Sequence, residues 1–205
     1  VLPINFKTKW LGYQKKEAKA WRFNPQWGND LAQAYRLYTL ALAGSADLAS
    51  MNRLRETEGI SNESKLRLAA AYALAGQLSA GESLLAKSKI DDGNDGYYYY
   101  YGSAERNRAM ALETLILLGK KEKAFVMANK LAKDLSAPQW MSTQTTAYGL
   151  YAMSKFAVAN GGGGLDIVLT QDGKAQAIKT SKSIANRKLT VKLGGNNVSI
   201  RNNRN

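Results

Sequence analysis

The side chains that most often carry out chemistry in proteins are depleted in this sequence, which has 205 residues but no Cys and no His. A Cys nucleophile, a disulfide, a Cys/His zinc site and a His general base are therefore excluded within the chain. Carboxylates remain, but the glutamates form no pair with a recognisable catalytic spacing: Glu56, Glu58, Glu63, Glu82 and Glu105. The sequence thus predicts no catalytic, cofactor-binding or metal-binding residue, and no enzyme.

Three local segments have compositions that resemble ligand sites, and each is better explained as structure. The polar residues 91–96 lack the spacing and the terminal Glu of an EF-hand loop, which favours a simple turn. The four glycines at 161–164 lack the strand–helix context of a phosphate loop, which favours a linker. Five consecutive tyrosines could stack sugars or bases or bind a partner, but packing of alternate rings under neighbouring helices is favoured: Tyr97, Tyr98, Tyr99, Tyr100 and Tyr101.

The net charge of +13 raises the question of an anionic partner. The Lys and Arg residues are spread along the chain, mostly on the outer faces of predicted helices, so solvated surfaces explain them and no nucleic-acid binding is predicted. A basic surface suits an anionic membrane or an acidic protein equally well. No apolar run approaches the roughly 18 residues of a membrane-spanning helix. Because Val1 stands where an initiator Met is expected and no signal peptide follows, we expect a fragment or a processed product.

Two kinds of helix alternate along the first 160 residues. Segments 30–43, 65–75, 107–118 and 144–159 are apolar on nearly every side, whereas 6–21, 46–56, 79–88 and 121–135 have one apolar stripe. A helix that is apolar all round must be buried all round. The alternation therefore predicts inner helices enclosed by amphipathic outer helices, which is a partial α/α toroid.

The predicted helix ends support this interpretation. Glycine closes three of the apolar segments, where positive φ would cap the last turn: Gly44, Gly76 and Gly119. Their spacings of 32 and 43 residues are typical of paired-helix repeats. Serines stand at the predicted helix starts: Ser45, Ser61, Ser79, Ser103 and Ser142.

The pattern changes to period two after residue 160. Segments 165–170, 189–193 and 198–201 are predicted strands, with turns at Asp172-Gly173 and at 194–197. About forty residues of strand bury too little apolar surface for an independent domain, so a partial β-domain is expected. The predicted organisation is a helical region at 1–159, a linker at 160–164 and a small antiparallel β segment at 165–205.

Five segments between residues 30 and 158 resemble the thioester-containing domain of bacterial alpha-2-macroglobulins, in that family's order. They are 33–44 (QAYRLYTLALAG), 51–56 (MNRLRE), 68–77 (LAAAYALAGQ), 101–109 (YGSAERNRA) and 140–147 (WMSTQTTA). The resemblance implies the C-terminal part of an α/α-toroid domain, followed after the linker by part of a CUB-like β-domain.

The resemblance also implies a function. Family members trap proteases: cleavage of a bait segment changes the inhibitor's shape, and a Cys-x-Glu-Gln thioester then acylates the attacking protease. This chain has no Cys, so either the thioester lies upstream of Val1 or the parent protein belongs to the thioester-less branch. The implied partners are target proteases and other domains of the parent chain, with no small-molecule ligand. The implied location is periplasmic or extracellular, and a membrane anchor is left open.

Two other functions remain open on the residues alone. An α/α-toroid enzyme acting on polysaccharides or isoprenoids would need acidic side chains converging at one mouth of the ring. A helical-repeat scaffold that binds another protein would need an open superhelix whose paired helices are equally solvated.

Overall fold

The computed structural model describes residues 3–89, 103–160, 164–182 and 185–203. Within these ranges the predicted fold class is confirmed, because helices come first and a small antiparallel sheet follows. The helices are α1 (Phe6–Ala20), α2 (Asp30–Leu42), α3 (Leu48–Glu56), α4 (Asn62–Leu74), α5 (Leu78–Ala86), α6 (Ala104–Leu117), α7 (Lys121–Ser136) and α8 (Thr143–Asn160). The strands are β1 (Leu165–Gln171), β2 (Lys174–Thr180) and β3 (Val198–Asn202). The chain divides between Phe156 and Ala157 into a helical unit and a β unit.

The helical unit has an inner layer covered by an outer one. In the inner layer α2 packs along α4 and α4 packs along α6, while α3 and α5 cover α4 and α7 covers α6. Residues 66–72 of α4 and 109–115 of α6 are buried without interruption. By contrast, α3 buries only Ser50, Met51 and Leu54. The predicted alternation of enclosed and half-exposed helices is therefore confirmed for α2 to α7.

Three inner helices end in the same backbone motif. Gly44, Gly76 and Gly119 have φ values of +72°, +75° and +66°, which L side chains rarely adopt. The residue after each glycine donates its N–H to the carbonyl five residues earlier, as in a Schellman motif: Ser45 to Leu40, Gln77 to Tyr72 and Lys120 to Leu115. The three predicted glycine stops are confirmed.

The predicted helix starts are confirmed at three serines and wrong at two. Each of Ser61, Ser103 and Ser142 accepts, through its hydroxyl, the N–H of the residue three positions on, at 3.2, 3.1 and 3.1 Å. Ser45 does not cap α3, because Asp47 supplies a carboxylate that accepts the N–H of Ser50 at 3.0 Å. Ser79 lies inside α5, which already begins at Leu78.

A glycine sets the distance between α5 and α4. A Cβ on Gly81 would lie 2.9 Å from Leu118 Cδ2 and 3.0 Å from the carbonyl oxygen of Ala69. Both distances are shorter than ordinary van der Waals contact, and the second is to backbone. Glycine at this position is therefore needed for the close approach of the outer helix.

Two predicted burial patterns are wrong in detail. In the sequence, the apolar stripe of segment 121–135 is formed by Phe125, Ala128, Ala132 and Leu135. The residues that α7 buries are instead Ala124, Met127, Ala128 and Leu131. Phe125 instead lies at the edge of the buried face of α7, where its ring centroid is 6.4 Å from that of Phe156.

The last inner helix, α8, was predicted to be enclosed, but it buries only Thr145, Gly149 and Ala152. These residues are spaced four and three apart, so they form one narrow face of the helix. Leu150 and Tyr151 are exposed because α8 ends the inner layer, and its far side meets no further helix among the described residues.

The β unit is a three-stranded antiparallel sheet with the order β2-β1-β3. The register places Ile167 opposite Ile178, and Leu169 opposite Ile200, which makes one face of the sheet apolar. The predicted turn at Asp172-Gly173 is confirmed: both residues have positive φ, 49° and 81°, as a tight hairpin requires.

The predicted strand at 189–193 is wrong, and β2 was not foreseen. Both edges of β1 are occupied by β2 and β3, so the segment 189–193 has no central strand edge to join. Its backbone is tied to β1 instead by the side chain of Gln171, which donates to the carbonyl of Thr190 at 2.5 Å. The sequence of β2 gives no strand signal, because most of its side chains are exposed and few are apolar.

Candidate functional site

A cluster of charged and phenolic side chains joins all four inner helices at one place. Its members are Tyr38 on α2, Arg67 on α4, Glu113 on α6, and Tyr148 and Lys155 on α8; we call it the inner-layer charge cluster. Glu113 is the acceptor at its centre. One carboxylate oxygen accepts from Arg67 Nη1 at 2.7 Å, and the other accepts from Tyr38 at 2.6 Å and from Lys155 Nζ at 2.7 Å. Arg67 Nη2 donates to the Tyr148 hydroxyl.

Aromatic rings surround the guanidinium of Arg67. Its central carbon lies 4.3 Å from the ring centroid of Tyr38, 4.7 Å from that of Tyr35 and 5.4 Å from that of Tyr148. Cations are attracted to such ring faces, most strongly when water is excluded. The side chains of Arg67 and Glu113 are both fully buried. Ring contacts, the ion pair and the bond to Tyr148 replace the hydration of the guanidinium except at Nε, which has no hydrogen-bond partner.

The environment fixes the protonation of the cluster. Burial by itself would raise the pKa of Glu113, but Arg67, Lys155 and Tyr38 together hold it below its ordinary value. Burial and the neighbouring Glu113 carboxylate raise the pKa of Tyr38. Burial would lower the pKa of Lys155, but its hydrogen bond to Glu113 raises it. The cluster therefore holds an anion between two cations near neutral pH.

This geometry favours a structural role for Glu113. A general acid needs a raised pKa and contact with a reacting group. Glu113 has a lowered pKa, and three side chains already donate to its oxygens. The cluster is thus suited to hold four helices in register.

A second set of polar contacts joins neighbouring inner helices at their N-terminal ends. The Asp30 carboxylate of α2 accepts from the N–H of Ser61 and from the Ser64 hydroxyl, both at 2.7 Å. The Glu63 carboxylate of α4 accepts from Asn107 of α6 at 2.7 Å.

The same series continues to the last inner helix, since the hydroxyls of Ser103 and Thr145 lie 3.0 Å apart. Burial would raise the pKa of Asp30, but the donors Ser64 and Ser61 lower it, so this carboxylate remains anionic beside the N-terminus of α4. These contacts engage two of the carboxylates at this end, Asp30 and Glu63, whereas Glu105 in the first turn of α6 takes no part in them.

The structure places the residues singled out in the sequence at separate positions. Glu56 and Glu58 lie at the connection between α3 and α4, and Glu82 pairs with Lys120 at the surface. The five tyrosines at 97–101, the turn at 91–96 and the glycines at 161–163 lie outside the described residues. Sequence reasoning missed the inner-layer charge cluster. Its signal was a charged residue within the apolar run of each of two segments, Arg67 in 65–75 and Glu113 in 107–118.

No helix in the described ranges combines the length and the apolar character needed to cross a membrane. The sequence matches no protein-family model and no curated protein. The fold itself defines the class: paired helices in an inner and an outer layer, followed by a small antiparallel sheet.

Solved structures with this arrangement include alpha-2-macroglobulin from Escherichia coli. The crystal structure of the native protein from domain MG7 to the C-terminus matches 98% of this chain with a TM-score of 0.62 and 15% identity, over 31% of its own length. The cryo-EM structure of the native conformation matches with a TM-score of 0.63 and 16% identity, over 12% of its own length. The crystal structure of the trypsin-activated form matches with a TM-score of 0.59 and 15% identity, over 13% of its own length. The chain thus spans less than a third of these proteins and has their fold in this part. The resemblance identified from the sequence is confirmed at the level of the fold.

Proposed function

We propose that this chain is a segment of an alpha-2-macroglobulin-like endopeptidase inhibitor, which traps an attacking protease after bait cleavage. The observation that carries the proposal is the likeness over 98% of the chain, which spans both the helical unit and the β unit. Its partners are target proteases, met through the complete protein, and other domains of the parent chain. The parent protein is periplasmic or extracellular, and the domain boundaries are those predicted from the sequence.

In this proposal the segment is a structural and binding element that carries no covalent chemistry. It has no Cys from which a thioester could form. The enzyme alternative is less well supported, because Asp30, Glu63 and Glu113 are all engaged in interhelical contacts. The inner-layer charge cluster would let the helical unit move as one body when the parent protein changes shape, because it joins four helices in one buried network.

The test uses the complete parent protein and trypsin. After mixing, hydrolysis of a small chromogenic peptide should persist, while hydrolysis of a large protein substrate should fall in proportion to the inhibitor added. Trypsin with a blocked active serine is the matched control. It cannot cut a bait segment, so it should not elute together with the parent protein on gel filtration. A trypsin adduct that survives denaturing electrophoresis would indicate a thioester upstream, whereas trapping without an adduct would indicate a non-covalent inhibitor. Undiminished cleavage of the large substrate, after the parent protein has itself been cut, would refute the proposal.

A further inference from the structure

The outward side of α1 carries an unusual set of side chains. Three lysines on this side are exposed, and no carboxylate among the described residues pairs with them: Lys9, Lys16 and Lys19. The opposite side of the helix packs inward through Ala18, next to the buried Trp21. The outer face of α1 is therefore a region of excess positive charge, because Glu17 is the one carboxylate on a helix that has five lysines.

Aromatic side chains lie between these lysines. Phe6 and Tyr13 expose 45% and 59% of their surface, and Ile4, just before the helix, exposes 93%. Phe6, Lys9, Tyr13 and Lys16 are spaced three, four and three apart, so they fall on one side of the helix. They form a stripe, the α1 stripe, in which aromatic and basic side chains alternate over three turns.

We infer that the α1 stripe docks on an anionic phospholipid surface. Lysines are attracted to anionic headgroups, and aromatic rings favour the depth at which headgroups meet acyl chains. An acidic protein would satisfy the lysines but would not require exposed rings in line with them. A nucleic acid would favour a longer basic track than the three turns of the stripe. This inference is independent of the protease-trapping proposal, because it concerns only the surface that the α1 stripe binds.

The test is co-sedimentation of the 205-residue chain with vesicles at low ionic strength. Binding is expected to vesicles that mix phosphatidylglycerol with phosphatidylcholine, and not to phosphatidylcholine alone. Replacing two stripe lysines, K9Q/K16Q, should lower the partition coefficient roughly 30-fold, since each lysine near such a surface contributes a factor of about five. The matched control K121Q/K123Q removes the same net charge from α7 and should change the coefficient by less than about twofold.

A further variant, F6S/Y13S, separates insertion of the rings from general attraction. It should weaken binding at every salt concentration, while the effect of K9Q/K16Q should shrink as salt is added. All the altered side chains are exposed, so helical circular dichroism should be unchanged. Equal losses in K9Q/K16Q and K121Q/K123Q would overturn the inference, because they would show that diffuse charge drives binding. Binding of soluble polyglutamate but not of vesicles would overturn it in favour of an acidic protein partner.

Discussion

Replacing Glu113 with Gln should destabilise the helical unit far more than the same change at the surface. Glutamine keeps the size of the side chain but removes the charge, and its NH₂ group would face at least one of the donors Arg67, Tyr38 and Lys155. Arg67 would be left as a fully buried cation without its anion. Breaking a buried pair from one side costs about 3–5 kcal/mol, a large part of the roughly 5–15 kcal/mol that stabilises a typical domain.

The assay is urea unfolding followed by circular dichroism at 222 nm, with Glu82→Gln as the matched control. Glu82 pairs with Lys120, and both side chains are more than a third exposed, so this change should cost less than about 1 kcal/mol. If Glu113→Gln proves too unstable to fold, Tyr38→Phe removes a single donor and should cost about 1.5–3 kcal/mol.

A double-mutant cycle then tests the reasoning itself. Arg67→Met combined with Glu113→Gln removes both charges, so the double variant should be more stable than the sum of the single losses implies, by about 1–3 kcal/mol. Strict additivity, or equal costs for Glu113→Gln and Glu82→Gln, would show that the buried ion pair does not act as described.

Three other outcomes are expected. Gly81→Ala should destabilise the helical unit by about 1–3 kcal/mol, because the added methyl group forces α5 away from α4. Gly12→Ala, at an open helical position, should instead stabilise it by up to about 1 kcal/mol. Urea midpoints that rank the two variants in the opposite order would contradict the packing described. Ser103→Ala should cost about 1 kcal/mol through loss of the α6 cap, and an unchanged thermal midpoint would count against that cap. Because the pKa of Glu113 is lowered on folding, its contribution to stability is present above about pH 4.5 and is lost as the pH falls below that value. Because the pKa of Tyr38 is raised on folding, its contribution is present below about pH 10 and declines progressively as the pH rises above that value. Unfolding at pH 3.5, 7 and 10.5 should therefore show a stability loss at both extremes, with the acid loss reduced in Glu113→Gln.

The residues explain why the helices were predictable and parts of the packing were not. Gly44, Gly76 and Gly119 mark helix ends through local backbone conformation, which the sequence carries directly. The edge position of Phe125 depends on where Phe156 lies, and such a distant contact leaves no trace in helical periodicity.

The β unit and the charge cluster show the same limit. Residues 189–193 alternate like a strand, but pairing requires a free edge on β1, and both edges are taken. Arg67 and Glu113 are 46 residues apart in sequence, so no local spacing pairs one with the other. Only the fold brings Nη1 of Arg67 to 2.7 Å from a carboxylate oxygen of Glu113.

The repeated glycine closure has a consequence for how this architecture can diversify. The interval from Gly44 to Gly76 is 32 residues and that from Gly76 to Gly119 is 43, yet both intervals close with the same backbone geometry. Most of the difference falls between the last residue of α5 and the first of α6, which are much further apart in sequence than the last residue of α3 and the first of α4. Insertions can therefore accumulate between the helices while the helical framework keeps its spacing. Proteins that share this scaffold can then differ in length between α5 and α6 without a change in core packing.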